Sequence, residues 1–221
     1  MTRRSANSGS ALLLCNGDPP GRRLARKLAR SCELLVAADG GANSAPALGL
    51  PLDVIIGDLD SATPSTLRKF RDALIIHIRR QDDTDMEKAL DFLREQGFRK
   101  ILLMGATGRR IDMTLANLTV LWRYVPSMEI TVVGDNWYAV PVQGFRRMRA
   151  RKGTIVSVLP CAPCRGVTLR GLEYPLTNAS LGAGEVAVSN VVKSSPISVT
   201  IRKGRALVVV LEPPAPIHWL S

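Results

Sequence analysis

The sequence predicts an α/β N-terminal domain with a mostly parallel sheet, residues 1–142, followed by an all-β C-terminal sandwich, residues 143–221. Three observations lead there. Up to Tyr124, apolar runs alternate with stretches of helical pattern, the mark of βαβ units. From Glu129 onward the helical period disappears, and short alternating or β-branched runs are separated by Gly, Pro and Asn. Of 221 residues, 46% are hydrophobic and 22% charged, which is enough apolar material for a real core and excludes a disordered chain.

In chain order, Ser10 to Cys15 reads as a buried strand and Pro19 to Arg30 as a helix with Pro near its start. Leu34 to Ala38 is a second strand, Ala42 to Leu48 a short helix, and Val54 to Ile56 a third strand. A helix over Pro64 to Arg71 follows, with Ser61 or Thr63 as N-cap and Pro64 near the first helical position. Leu74 to Ile78 is a strand; Asp83 or Thr84 opens a helix that runs to about Gln96 and stops at Gly97. Lys100 to Met104 is a strand, and Ile111 to Tyr124 a helix ending before Pro126. The later strands are Ile130 to Val133, Trp137 to Val142, Thr154 to Leu159, Val167 to Leu169, Val186 to Val188, Ile197 to Arg202 and Ala206 to Leu211. The C-terminal set is small for an independent core and is expected to pack on the first domain or on a second copy of itself.

Several function classes are disfavoured. No apolar run approaches the ~18 residues of a membrane span. Met1-Thr2-Arg3-Arg4 resembles the start of a signal peptide, but Ala11-Leu12-Leu13-Leu14-Cys15 is too short for its apolar core, so a cytoplasmic protein is expected. The net charge of +11 is concentrated at Arg22, Arg23, Arg26, Lys27 and Arg30 and along Arg146 to Lys152. Nucleic acid is not favoured as a partner, because aromatic stacking residues are scarce and the first cluster has the spacing of a solvated helix face. Cys161-Ala162-Pro163-Cys164 has no second ligand pair for zinc and reads as a turn. His77, on an apolar strand, reads as a core histidine.

What stands out against this basic background is a set of aspartates at the turns. Asp39 precedes Gly40-Gly41, a pair that allows close backbone approach to an anion. Asp58 and Asp60, two residues apart at a strand end after Gly57, can point the same way. Asp82, Asp83 and Asp85 surround a helix start, where the macrodipole accounts for one or two of them; Asp85 is the ligand or base candidate. Gly105-Ala106-Thr107-Gly108-Arg109-Arg110 lies between a strand and a helix and could cradle phosphate, although it lacks the ending of a Walker A loop. Carboxylates converging at the C-terminal ends of parallel strands repel one another unless a cation joins them, and hard oxygen ligands suit Mg²⁺ bridging to substrate phosphates. A nucleotide-dependent phosphotransferase is the chemistry that fits.

Together with Cys15-Asn16-Gly17, Ile111-Asp112, Leu115-Ala116-Asn117-Leu118, Gly171-Leu172-Glu173-Tyr174-Pro175-Leu176 and Ser189-Asn190, these strings resemble the thiamine pyrophosphokinase (thiamine diphosphokinase) family, in order and across nearly the whole chain. The resemblance implies ATP and thiamine as substrates, Mg²⁺ as cofactor, and a homodimer whose active site is shared between subunits. Asp39, Asp58, Asp60 and Asp85 would hold the metal and phosphates or face thiamine, with Asp60 or Asp85 as proton acceptor. Nucleotide contacts would involve Asn16, Asp39, Gly40, Gln81, Thr84, Gly105, Thr107, Gly108, Arg110 and Asp112. Tyr174, Ser189 and Asn190 would belong to the thiamine side. The chain departs from the family at Gln81, often Lys; at Arg109, commonly Gly; at Met113, frequently His; and at Tyr174, frequently Trp.

The implied reaction moves the pyrophosphoryl group of ATP to the thiamine hydroxyl, giving thiamine diphosphate and AMP. The alternatives are pyrophosphoryl transfer to another small alcohol such as a hydroxymethylpterin, or a non-catalytic relative that binds nucleic acid or thiamine.

Overall fold

The computed structural model describes residues 9–80, 82–182 and 185–214. The chain forms two compact units, one ending at Asp135 and the other beginning at Asn136.

The first unit is built on β1 (Ser10–Leu14), β2 (Leu34–Ala38), β3 (Val54–Gly57), β4 (Leu74–His77), β5 (Lys100–Met104) and β6 (Glu129–Val133). They lie side by side in the order β6-β5-β1-β2-β3-β4, each parallel to its neighbour. Leu12, Leu13 and Leu14 of β1 and Ile101, Leu102 and Leu103 of β5 are buried. A strand buried on both faces reads as an unbroken apolar run, which is the pattern these segments show. At the sheet edge, β4 leaves Leu74 and Ile75 exposed. His77 is exposed with them. It is therefore not the core histidine that its apolar neighbours suggest, because an edge strand lacks a covering neighbour.

Local signals set the helices. The first, α1 (Arg22–Ala29), begins after Pro19-Pro20-Gly21 rather than at Pro19; Gly21 precedes it and donates its N–H to Asp135 Oδ1 at 2.6 Å. It buries Ala25, Leu28 and Ala29 and turns its cations outward, the solvated face that the spacing predicts. Asp39–Ser44 forms a 3₁₀ turn leading into α2 (Ala45–Leu48), so the predicted Ala42 to Leu48 helix is split. Thr63 caps α3 (Pro64–Lys69). Thr84 and Glu87 form a reciprocal capping box on α4 (Asp85–Glu95), which buries Met86, Ala89, Leu90 and Leu93 at helical spacing. Gly97, at φ 88°, follows its end. The last is α5 (Ile111–Val120).

This winding leaves β1 for β2 on one side and returns to β5 on the other. The strand order therefore reverses between β1 and β5, and such a switch point is where open α/β sheets bind ligands.

The second unit is made of β7 (Tyr138–Met148), β8 (Ile155–Pro160), β9 (Cys164–Arg170), β10 (Leu176–Leu181), β11 (Ala187–Val191) and β12 (Ile197–Val210). All its pairings are antiparallel. The predicted strands Ile197 to Arg202 and Ala206 to Leu211 are one strand, bent where its register with β7 shifts between Ile201 and Ala206. Along its other edge β12 pairs with β9 through residues 198–203 and with β8 through residues 206–210. One strand thus serves two diverging sheets, with Val142, Val156, Val158, Val167, Leu169, Val199 and Val208 buried between them. The sequence did not announce β10; Leu176–Leu181 carries a left-handed Asn178 and an irregular register. Cys161 to Pro163 turn the chain between β8 and β9, and the described cysteines are free thiols. Among the described residues no helix is long and apolar enough to cross a membrane.

Candidate functional site

The C-terminal ends of β1, β2 and β5 and the start of α4 surround a cleft of about 380 Å³. Two loops form one wall. Cys15 N–H bonds Met104 carbonyl at 2.8 Å, Gly17 N–H bonds Gly105 carbonyl at 2.7 Å, and Asp18 N–H bonds Thr107 carbonyl at 2.7 Å. Asn16, Asp39, Gly40, Thr84, Asp85, Gly105, Gly108 and Arg110, all named from the sequence, line the cleft. Thr107 shapes it through its carbonyl rather than by lining it. Asp112 is exposed and engages the Arg110 guanidinium, with Arg110 Nε 3.1 Å from its Oδ1. Gln81 lies outside the described residues.

Beside the cleft, Asp39, Asp58 and Asp60 bring one carboxylate oxygen each to within 4.8 Å of one another. Asp39 is only 2% exposed and sits at φ 40°. Its two oxygens accept N–H bonds from Ser61 and Ala62, both at 3.1 Å, so it also ties β2 to the loop after β3. Burial pushes the Asp39 carboxyl above its ordinary range, partly offset by those N–H bonds and reinforced by the charge of Asp85. Asp58 Oδ1 receives the Asp60 N–H at 3.3 Å, and Asp60 Oδ1 receives the Ser61 hydroxyl at 2.8 Å.

Gly57 allows this convergence. A Cβ there would fall 2.7 Å from Asp39 Cβ, closer than real contacts allow, and a tight 3.0 Å from Asp85 Oδ1. Three hard carboxylates from successive loops fit a divalent cation of the Mg²⁺ class, and they leave coordination positions for phosphate oxygens.

Asp85 is not part of that trio. Its Oδ1 lies 2.9 Å from the ammonium of Lys88 and 3.4 Å from the Asp58 N–H. Lys88 is buried, which disfavours its charge, but Asp85 first and then Asp58 and Asp83 hold its pKa above the ordinary value. Sequence reasoning missed Lys88; the signal was its place one turn after Asp85, where helix side chains meet. Cys15 also lines the cleft, but burial pushes its thiol up to about 12, aided by Asp85, so it is not a thiolate nucleophile.

In the second unit Asn190 is 5% exposed, and its amide clamps the backbone of Tyr174: Oδ1 accepts the Tyr174 N–H at 3.0 Å and Nδ2 donates to the Tyr174 carbonyl at 2.7 Å. Tyr174 itself is 69% exposed. Ser189, exposed and at φ 57°, donates its N–H to Ser157 Oγ at 3.2 Å. Asn190 therefore holds, and Tyr174 presents.

Residues 25–133 match the family model of the thiamin pyrophosphokinase catalytic domain, and residues 146–206 match that of the thiamin pyrophosphokinase vitamin B1 binding domain. The chain belongs to the thiamine pyrophosphokinase family. Thiamine pyrophosphokinase 1 of Oryza sativa subsp. japonica is 28% identical over 227 aligned positions, 88% of this chain and 84% of that protein. Thiamine pyrophosphokinase of Bacillus subtilis is 26% identical over 161 positions, covering 69% and 75%. In fold, the crystal structure of a thiamin pyrophosphokinase family protein from Enterococcus faecalis superposes with a TM-score of 0.80 at 21% identity, over 93% of this chain and 100% of that one. The Candida albicans thiamin pyrophosphokinase gives 0.79 at 19% identity, over 94% and 90%.

Proposed function

We propose that this chain is a thiamine diphosphokinase, transferring the pyrophosphoryl group of ATP to the hydroxyl of thiamine to give thiamine diphosphate and AMP. The observation that carries this is the meeting of Asp39, Asp58 and Asp60 beside a cleft walled by a glycine-bearing loop, in a chain of this family. ATP lies in the cleft, its polyphosphate against the Gly105–Arg110 loop. Asp39, Asp58 and Asp60 would hold Mg²⁺, which when bound neutralises phosphate charge. The thiamine hydroxyl oxygen attacks the β-phosphorus, the bond from that phosphorus to the α,β-bridging oxygen breaks, and AMP departs with the electron pair. The hydroxyl proton passes to a carboxylate, Asp60 or Asp85. Lys88 fixes Asp85, and the β1 and β5 loops align the nucleotide; catalysis is mainly positioning and charge neutralisation.

Thiamine would meet Tyr174, whose ring can stack on a cationic heterocycle, with Ser189 beside it. A homodimer with sites shared between subunits agrees with the exposure of Tyr174, Val186 and Val188 on the second unit. The cytoplasm is the compartment proposed, on the sequence grounds above. The test is production of AMP and thiamine diphosphate from ATP, Mg²⁺ and thiamine, with and without EDTA. Equal amounts of both, lost with EDTA, are expected; ATP cleaved without thiamine diphosphate would redirect the search to another acceptor alcohol. Sedimentation velocity tests the dimer.

A further inference from the structure

Two neighbouring guanidiniums line the cleft, and they are held very differently. Arg110 forms a two-pronged pair with the carboxylate of Asp112. Arg109 has only loose tethers: Nη1 donates to the neutral Asn16 Oδ1 at 3.1 Å, and Nε stands 3.6 Å from Asp18 Oδ1. Both members of that second pair are more than half exposed, 54% and 66%, where an ion pair contributes little. The backbone of Arg109 is fixed, at φ 55° with its N–H donated to Asp18 Oδ2 at 3.3 Å. A rigid base in a left-handed turn thus carries a side chain with weak partners, at the rim of a cleft walled by a phosphate-type loop.

We infer that Arg109 is a nucleotide-specificity residue of this chain: its guanidinium leaves Asn16 and Asp18 to pair with the terminal phosphates of a nucleoside triphosphate. This rests on the nucleotide reading of the cleft given above. The exchange is favourable because a phosphate offers charge-assisted, two-pronged bonds in place of one neutral bond and one loose pair. The Arg110–Asp112 pair is exposed as well, but it is two-pronged and closer than the Arg109–Asp18 contact, so Arg110 is the less available of the two. The consequence is selective: a ligand that ends at its α-phosphate gains little from Arg109.

The experiment is calorimetric titration of α,β-methylene-ATP, uncleavable at the reacting bond, and of AMP, each with Mg²⁺, into the full-length protein. The variants are R109N, R109K and D18N. Asn tolerates a left-handed φ, so R109N removes the charge without straining the turn. D18N keeps an acceptor for the Arg109 N–H while releasing the guanidinium. R109N is expected to weaken the analogue about tenfold, to leave AMP unchanged, and to flatten the salt dependence of analogue binding. R109K should recover most of the loss, and D18N should bind the analogue as tightly as the parent or more so. If R109N binds the analogue as the parent does, or if D18N weakens binding as much as R109N, Arg109 is only a tether between two loops and the inference fails. A parent protein that binds neither ligand would instead overturn the nucleotide reading itself.

Discussion

The ammonium of Lys88 lies 2.9 Å from Asp85 Oδ1, with only 2% of the lysine side chain exposed. Four carboxylates crowd this end of the sheet, and Lys88 is a buried cation that the fold itself places against them. Replacing it by Met removes the charge while keeping much of the stem. Lys88→Met should lower stability by about 2 kcal/mol, less than for a fully buried pair because Asp85 is partly exposed. Thermal melts with and without Mg²⁺ check this: the gap between parent and variant should narrow when the metal is added. An unchanged melting temperature would mean that Asp85 needs no partner.

The three converging aspartates should separate by experiment. Asp58→Ala and Asp60→Ala are expected to reduce turnover by at least about 100-fold while shifting stability little. Asp39→Ala removes the acceptors of the Ser61 and Ala62 N–H groups as well, and should cost about 2 kcal/mol besides activity. Steady-state kinetics beside urea unfolding midpoints give both readings. Near-parental turnover in Asp58→Ala would remove it from the metal site.

In the second unit, presenting and holding should be distinguishable. Tyr174→Ala should raise the KM for thiamine about tenfold at unchanged stability, since the ring is exposed. Asn190→Ala should raise the same KM and also destabilise by about 1–3 kcal/mol, because two backbone groups of Tyr174 lose their partner. Equal stability losses in the two variants would contradict the division of roles.

Asp83 supplies a pH dependence. A hydrogen bond from the Arg80 guanidinium, opposed by burial and aided by the charges of Arg80 and Lys88, holds its carboxyl below the ordinary 3.8. A carboxyl depressed on folding favours the folded state above its unfolded pKa, and that contribution disappears as pH falls through the folded value. Asp83→Asn should therefore be less stable than the parent by about 1 kcal/mol near neutrality. The two should converge below pH 3.8, as melting curves across the acid range will show. A gap that widens on acidification would reverse the assignment.

The strands of the first unit were legible because both their faces are covered, so Leu12 to Leu14 and Ile101 to Leu103 appear as unbroken apolar runs. Capping chemistry marked Thr63 and Thr84, and turn chemistry marked Gly97. Where local signals compete, the reading slipped: two prolines held the first helix back to Arg22, and Gly40-Gly41 turned the start of the second into a 3₁₀ turn. The β10 strand was missed because Asn178 interrupts its alternation, and β12 was read as two because its bend carries polar residues. Within the site, residues of one loop were easy to associate, as with Asp58 and Asp60. Lys88 was not, since a lysine on a helix is ordinarily solvated and only the packing shows this one buried.

At position 57 the side chain is a single hydrogen, and the Asp39 side chain and the Asp85 carboxylate crowd the space where a methyl group would go. Every missense allele of that codon adds a carbon there. The familiar gradient from small to large replacements should therefore vanish: alanine would be as damaging as valine or aspartate. In a survey of coding variants, this residue would show one step from working to broken enzyme, with no intermediate phenotypes between.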